Sequence, residues 1–254
     1  MNGTEVAGGG GLFWGRVAAL PQTRWSVVAR ASDRDQEVWL EALNAVFLLY
    51  RPVFVQHLIC QFRVPYDRAE DLIQEFLAEK MLRQNVLRHA SSAKGRLRGF
   101  LLKMLENFVK SSWRTQQAAK RRPSDPDAKR LDDLPEMVAD SKPPGEMFNE
   151  IWARQVLNMA IAHMREVCAL KKFQAHWGVF EARVLLPALE GATPMPYDEL
   201  VARFGLRSPN EASNLLVTAK RLFAQALVSV VQETVVDEGD VESELRELKR
   251  ILAR

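Results

Sequence analysis

The chain has 254 residues, nearly half of them apolar and about a quarter charged, with a net charge of +3. That balance builds hydrophobic cores and excludes a globally disordered chain, and the length suits two small domains, since domains cluster near about 100–150 residues. Cys60 and Cys168 lie inside apolar pattern with no CxxC and no histidine at ligand spacing, which excludes a disulfide framework and a zinc site of the usual spacing. No apolar run approaches the roughly 20 residues of a membrane-spanning helix, and no basic, apolar and cleavable leader opens the sequence, so the expected location is the cytoplasm, without membrane contact.

In chain order, residues 1–22 read as a flexible leader containing the glycines Gly8 to Gly11, after which no Gly-Lys-Ser/Thr follows to hold a phosphate. Gln36 to Phe62 is densely apolar and interrupted by Pro52, which predicts two buried helices or one kinked helix. Pro65 stops the pattern. Asp67 and Glu70 have the spacing of a capping box before a helix with Ala69, Leu72, Ile73, Phe76 and Leu77 on one face. Asp71, Gln74, Glu75 and Glu79 fall on the other face.

The best-marked helix follows Gly95, with Leu97, Phe100, Leu101, Met104, Leu105, Phe108 and Val109 at three-four spacing. Arg96, Lys103, Asn107, Lys110 and Arg114 step along its other side. Between Arg88 and Arg122 ten basic residues face the single acid Glu106. Such a run repels itself unless an anion is near, so phosphate contact is the expected role. Specificity would come from bases: Asn85, His89 and Ser91 offer a pocket for an extracted base, and Trp113, at the margin of the apolar face, a ring to stack on, whereas Phe108 reads as core by its spacing.

Residues 123–146 form an acidic, proline-bearing linker between a first domain, 23–122, and a second, 147–236. The second opens with a helix from about Met147 to Cys168, then apolar helical pattern from Phe173 to Glu190. Tyr197 to Phe204 reads as a short helix, Gly205-Leu206 as a turn, and Ser208 as the cap of a helix reaching about Val231, which is helix-turn-helix spacing. Residues 237–254 form an acidic C-terminal helix with Leu245, Leu248, Ile251 and Leu252 on one face, able to pack back on the second domain or bind a regulator. His57, His163 and His176 stand singly in apolar or mixed pattern and read as structural. The fold class is all-α, two small helical domains on a linker.

With those residues in view, the chain resembles bacterial RNA polymerase sigma factors of the extracytoplasmic-function type, from Thr23-Arg24-Trp25-Ser26-Val27-Val28 onward. Ala69-Glu70-Asp71-Leu72-Ile73-Gln74-Glu75-Phe76-Leu77 resembles the family's polymerase-binding motif. Gly95-Arg96-Leu97-Arg98-Gly99-Phe100-Leu101-Leu102, continuing through Asn107 to Arg114 and Arg121-Arg122, is similar to the helix that reads and melts the minus-ten element. Tyr197 to Lys220-Arg221 is similar to the helix-turn-helix that reads the minus-thirty-five element.

The resemblance implies a region-two-like bundle and a region-four-like domain, with core RNA polymerase and promoter DNA as partners, an anti-sigma regulator as a further one, and a monomer when free. It implies no catalytic residue, metal or cofactor. Asp71, Leu72, Gln74, Glu75 and Glu79 would contact the polymerase. Arg96, Arg98, Lys103, Asn107, Lys110, Arg114, Lys120, Arg121 and Arg122 would contact DNA from the first domain, and Ser208, Asn210, Glu211, Asn214, Thr218, Lys220 and Arg221 from the second. The rivals are a sigma-like adaptor that has lost promoter reading, a polymerase-independent helix-turn-helix regulator, and a carboxylate-metal nuclease.

Overall fold

The computed structural model describes residues 36–89, 96–120, 144–235 and 238–253, and among them every regular element is helical. The all-α expectation holds. Helix α1, Gln36–Phe62, runs unbroken through Pro52, whose missing N–H is tolerated because the residue sits on the exposed side. Its buried side is broad: Leu43, Val46, Leu49, Tyr50, Val53, Phe54, His57, Leu58 and Phe62.

Helix α2, Tyr66–Phe76, starts two residues earlier than the capping box requires. Pro65 is its N-cap, so Asp67 lies within the first turn, where a carboxylate complements the helix dipole. Glu70 turns away to bind Arg51 at 2.8 and 3.1 Å. The chain continues as a π-helical stretch, Leu77–Arg83, and a short turn, Val86–His89, that buries Val86 and Leu87. Helix α3, Leu97–Lys120, lays Leu97, Leu101, Leu105 and Val109 against this bundle, and Phe108 meets Phe76 with ring centroids 5.6 Å apart.

Helix α4, Pro144–Leu170, begins inside the stretch read as linker, with proline in its first turn, where the lost donor costs nothing. It carries Phe148, Trp152, Val156, Ala160, Met164 and Cys168 as a buried line at four-residue spacing. The first end of that line serves the first half of the chain: Phe148 stacks on Phe54 at 6.2 Å and meets the His57 ring edge-on at 5.5 Å. Further along, α4 also packs on α8, Pro209–Gln232, whose buried residues include Ala212 and Ala219. The described halves therefore touch, and their buried side chains form one continuous cluster through α4.

Between α4 and α8 lie α5, Gln174–Phe180, a π turn, Glu181–Leu185, and α6, Leu186–Glu190. Helix α7, Tyr197–Phe204, then has the bounds its spacing predicts. Gly178 of α5 lies against the Phe204 ring of α7, where any side chain at 178 would collide with it. Helix α9, Val241–Leu252, packs on α4 and α8 and buries Val241, Leu248 and Ile251. Leu252, placed on the apolar face by its spacing, is 45% exposed.

On length and composition α8 is apolar enough to cross a membrane, a feature missed when only unbroken apolar runs are sought. It packs on α4 and α5, with 28% of its apolar stretch buried, and Asn210, Asn214, Lys220 and Arg221 are on its exposed side.

Candidate nucleic-acid interface

On α3 the inward line of leucines leaves one stripe facing out: Lys103, Asn107, Lys110 and Arg114, separated by four, three and four residues and all exposed. At 100° per residue these positions stay within about 60° of one another, so their polar ends form a single row. The side chains of Lys103, Asn107 and Arg114 make no hydrogen bond or ion pair with any described residue, and Lys110 reaches Glu106 at 3.7 Å. Lys120 is the last residue of the helix, and Arg121 and Arg122 lie outside the described residues.

Glu106, the lone acid of the basic stretch, is held by the buried His57, whose Nε2 is 3.3 Å from Oε1. That contact, with Lys110 beside it, keeps the Glu106 carboxyl below the ordinary carboxylate range against the opposing effect of burial. A depressed carboxyl contributes stability above its unfolded value and loses it as pH falls through the folded one. Glu106→Gln should therefore lose less stability than wild type between neutral pH and the acid side of the carboxylate range, read from urea midpoints. Equal losses would show that the His57 contact contributes nothing.

Two of the cations expected on DNA are engaged internally. Arg98 is only 4% exposed, so it cannot contact DNA in this arrangement. It donates to Glu244 of α9 and to Asn149 of α4 at 2.8 Å, and stacks 4.3 Å over the Trp152 ring. Burial pulls its guanidinium down to about 10, which leaves it charged at neutral pH. Burial also pushes the neighbouring Tyr50 phenol well above its ordinary range. Arg96 is 44% exposed and meets Glu244 at 3.2 Å and Glu247 at 3.9 Å.

These pairs were missed by sequence reasoning, although a signal existed. Arg98 stands in line with Leu101 and Leu105, and Glu244 in line with Val241, Leu248 and Ile251. Each charge occupies a core position of its own helix.

The base pocket and stacking ring fare differently. Asn85 is half-buried at positive φ (44°), His89 closes the short turn before residue 90, and Ser91 lies outside the described residues. Phe108 packs on Phe76 of the core, as its spacing predicts, while Trp113 meets Phe62 edge-on at 5.6 Å and so has a partner in the bundle.

On α2, Asp71, Gln74 and Glu75 are exposed beside the buried Leu72, Ile73 and Phe76. Leu72 is wholly buried, a core residue and no part of that outward surface. Arg68 lies between the two acids, 3.9 Å from Asp71 and 3.3 Å from Glu75. Glu79, on the π-helical stretch, pairs with Arg83 at 2.5 Å, and its carboxyl is held low chiefly by that bond.

The turn between α7 and α8 forms as its residues dictate. Gly205 takes the left-handed conformation (φ 62°) that ends α7, and Leu206 N–H returns to the Val201 carbonyl at 3.0 Å. Ser208 Oγ accepts from Glu211 N–H at 3.2 Å, while Glu211 Oε2 accepts from Arg207 N–H at 2.6 Å. Ser208 and Glu211, expected on DNA, thus cap the helix. Asn210, Asn214, Val217 and Arg221 form its outward stripe, flanked by the exposed Thr218 and Lys220. Thr218 donates its hydroxyl to the Asn214 carbonyl at 3.1 Å.

Compared with protein-family models, with curated proteins and with solved structures, the chain matches none of them.

Proposed function

We propose that this chain is a bacterial transcription initiation factor of the sigma type, one that binds core RNA polymerase, directs it to promoters and helps melt DNA there. The observation that carries the reading is the pairing of two outward surfaces on adjacent packed helices. Asp71, Gln74 and Glu75 offer carboxylates and an amide on α2, and Lys103, Asn107, Lys110 and Arg114 offer a cationic row on α3. A short carboxylate surface suits a basic, helical partner by charge complementarity, and a cationic row suits phosphates.

In this reading the region-two-like half (23–122) grips polymerase and the opened strand. The region-four-like half (147–236) reads duplex through Asn210, Asn214, Thr218, Lys220 and Arg221, and the linker 123–146 joins them. Binding energy for unpaired bases offsets unstacking, a few kcal/mol for each extruded base. RNA synthesis belongs to the polymerase, and the chain supplies no catalytic group, metal or cofactor. A cytoplasmic location follows from the same reading.

A second reading, a sigma-like adaptor without promoter recognition, draws support from α8. Its outward face carries only two cations, Lys220 and Arg221, along the stretch from Asn210 to Arg221.

Co-purification with core polymerase tests the first reading. The chain should bind the core, and Asp71→Arg with Glu75→Arg should weaken that binding about tenfold or more, since like charges would then face one another. A polymerase-independent regulator would show no binding to the core.

A further inference from the structure

Arg96 immediately precedes α3, at the N-terminal end of the row formed by Lys103, Asn107, Lys110 and Arg114, seven residues before Lys103 and so about 10 Å along the helix axis. At this first position of the row an anion is already present, and it is the protein's own. Glu244 and Glu247 of α9 close over the first turn of α3: Glu244 meets both arginines, and Glu247 stands 3.9 Å from Arg96 and 3.8 Å from Arg98. The arrangement is a built one. Glu244 and Arg98 are 4% exposed, and Val241, Leu248 and Ile251 seat α9 on the rest of the molecule.

We infer that α9 is a displaceable latch whose carboxylates occupy the head of the cationic row, and that the phosphates of a single-stranded DNA bound along the row compete with it for Arg96. The inference rests on the proposal that the row binds nucleic acid. When α9 lifts, Glu244 leaves with it, and Arg98 keeps Asn149 and the Trp152 ring of α4 as partners. Binding of DNA and opening of the latch are then linked, and each must favour the other by the same factor.

The test uses the full-length chain and a short fluorescein-labelled single-stranded DNA. Glu247→Gln removes a carboxylate that pairs with Arg250 of its own helix at 2.6 and 2.9 Å and also stands beside Arg96 and Arg98, while Glu242→Gln removes one whose only partner is Arg246 of the same helix among the described residues. The two variants change net charge equally. Glu247→Gln should tighten DNA binding about fivefold and Glu242→Gln should leave it near wild type. In the wild-type chain, where no substitution perturbs folding, saturating DNA should speed amide exchange in Val241–Leu252. Equal effects of the two variants, or DNA bound with exchange in α9 unchanged, would overturn the latch and leave the nucleic-acid reading standing. Absence of binding by both wild type and Glu247→Gln would overturn both.

Discussion

Replacing Arg98 with methionine should cost about 3–5 kcal/mol of folding stability, the range for breaking a buried ion pair from one side. The loss arises because Glu244, 4% exposed, loses its buried guanidinium partner and keeps only the partly exposed Arg96, while Asn149 loses a donor and Trp152 a stacked cation. Adding Glu244→Met should recover most of it, since a buried pair replaced by apolar side chains of similar volume is often neutral. Urea unfolding of the two variants checks this, with an unchanged slope showing that the unfolded state is not responsible. A single substitution that shifts stability by no more than about 0.5 kcal/mol, the usual range for a surface site, would mean that the pair holds nothing together.

Neutralising the row on α3 should have the largest effect on nucleic-acid binding. On a single strand each phosphate contact contributes about 0.7 to the slope of log affinity against log salt, so Lys103→Gln, Lys110→Gln and Arg114→Gln together should flatten the slope by about 2. At low salt the affinity should fall about a hundredfold, from the same counterion release. The three side chains are exposed, so the folded structure should survive the change. Fluorescence polarisation across a salt series reads the slope, and an unaltered slope would remove the row from the interface.

The sequence was most informative where local chemistry decides. Tyr197 to Phe204, the left-handed Gly205 and the Ser208 cap were all legible, because a turn glycine and an N-cap serine act within a few residues of themselves. The outward row on α3 was legible for the same reason, since helical spacing alone separates Lys103 and Lys110 from Leu101 and Leu105. Contacts between distant segments were not. Nothing around Phe148 says that it will stack on Phe54, and that contact brings the two expected domains together.

Arg98 shows the limit most clearly: a basic stretch suggested phosphate for every cation in it, yet this one points inward to a carboxylate 146 residues away. Reading charges by helix face, and not by sign alone, would have set Arg98 and Glu244 apart from their neighbours. The capping box at Asp67 failed for a local reason, because Pro65 starts the helix before it and Arg51 draws Glu70 away.

Reconstituted initiation tests the central claim most directly, with purified chain and core RNA polymerase on a genomic fragment library. Wild type should yield discrete transcripts that the core enzyme alone does not make, and both Asp71→Arg and Lys103→Glu should lose them. The same transcripts from core enzyme alone, or undiminished initiation by both variants, would contradict the account.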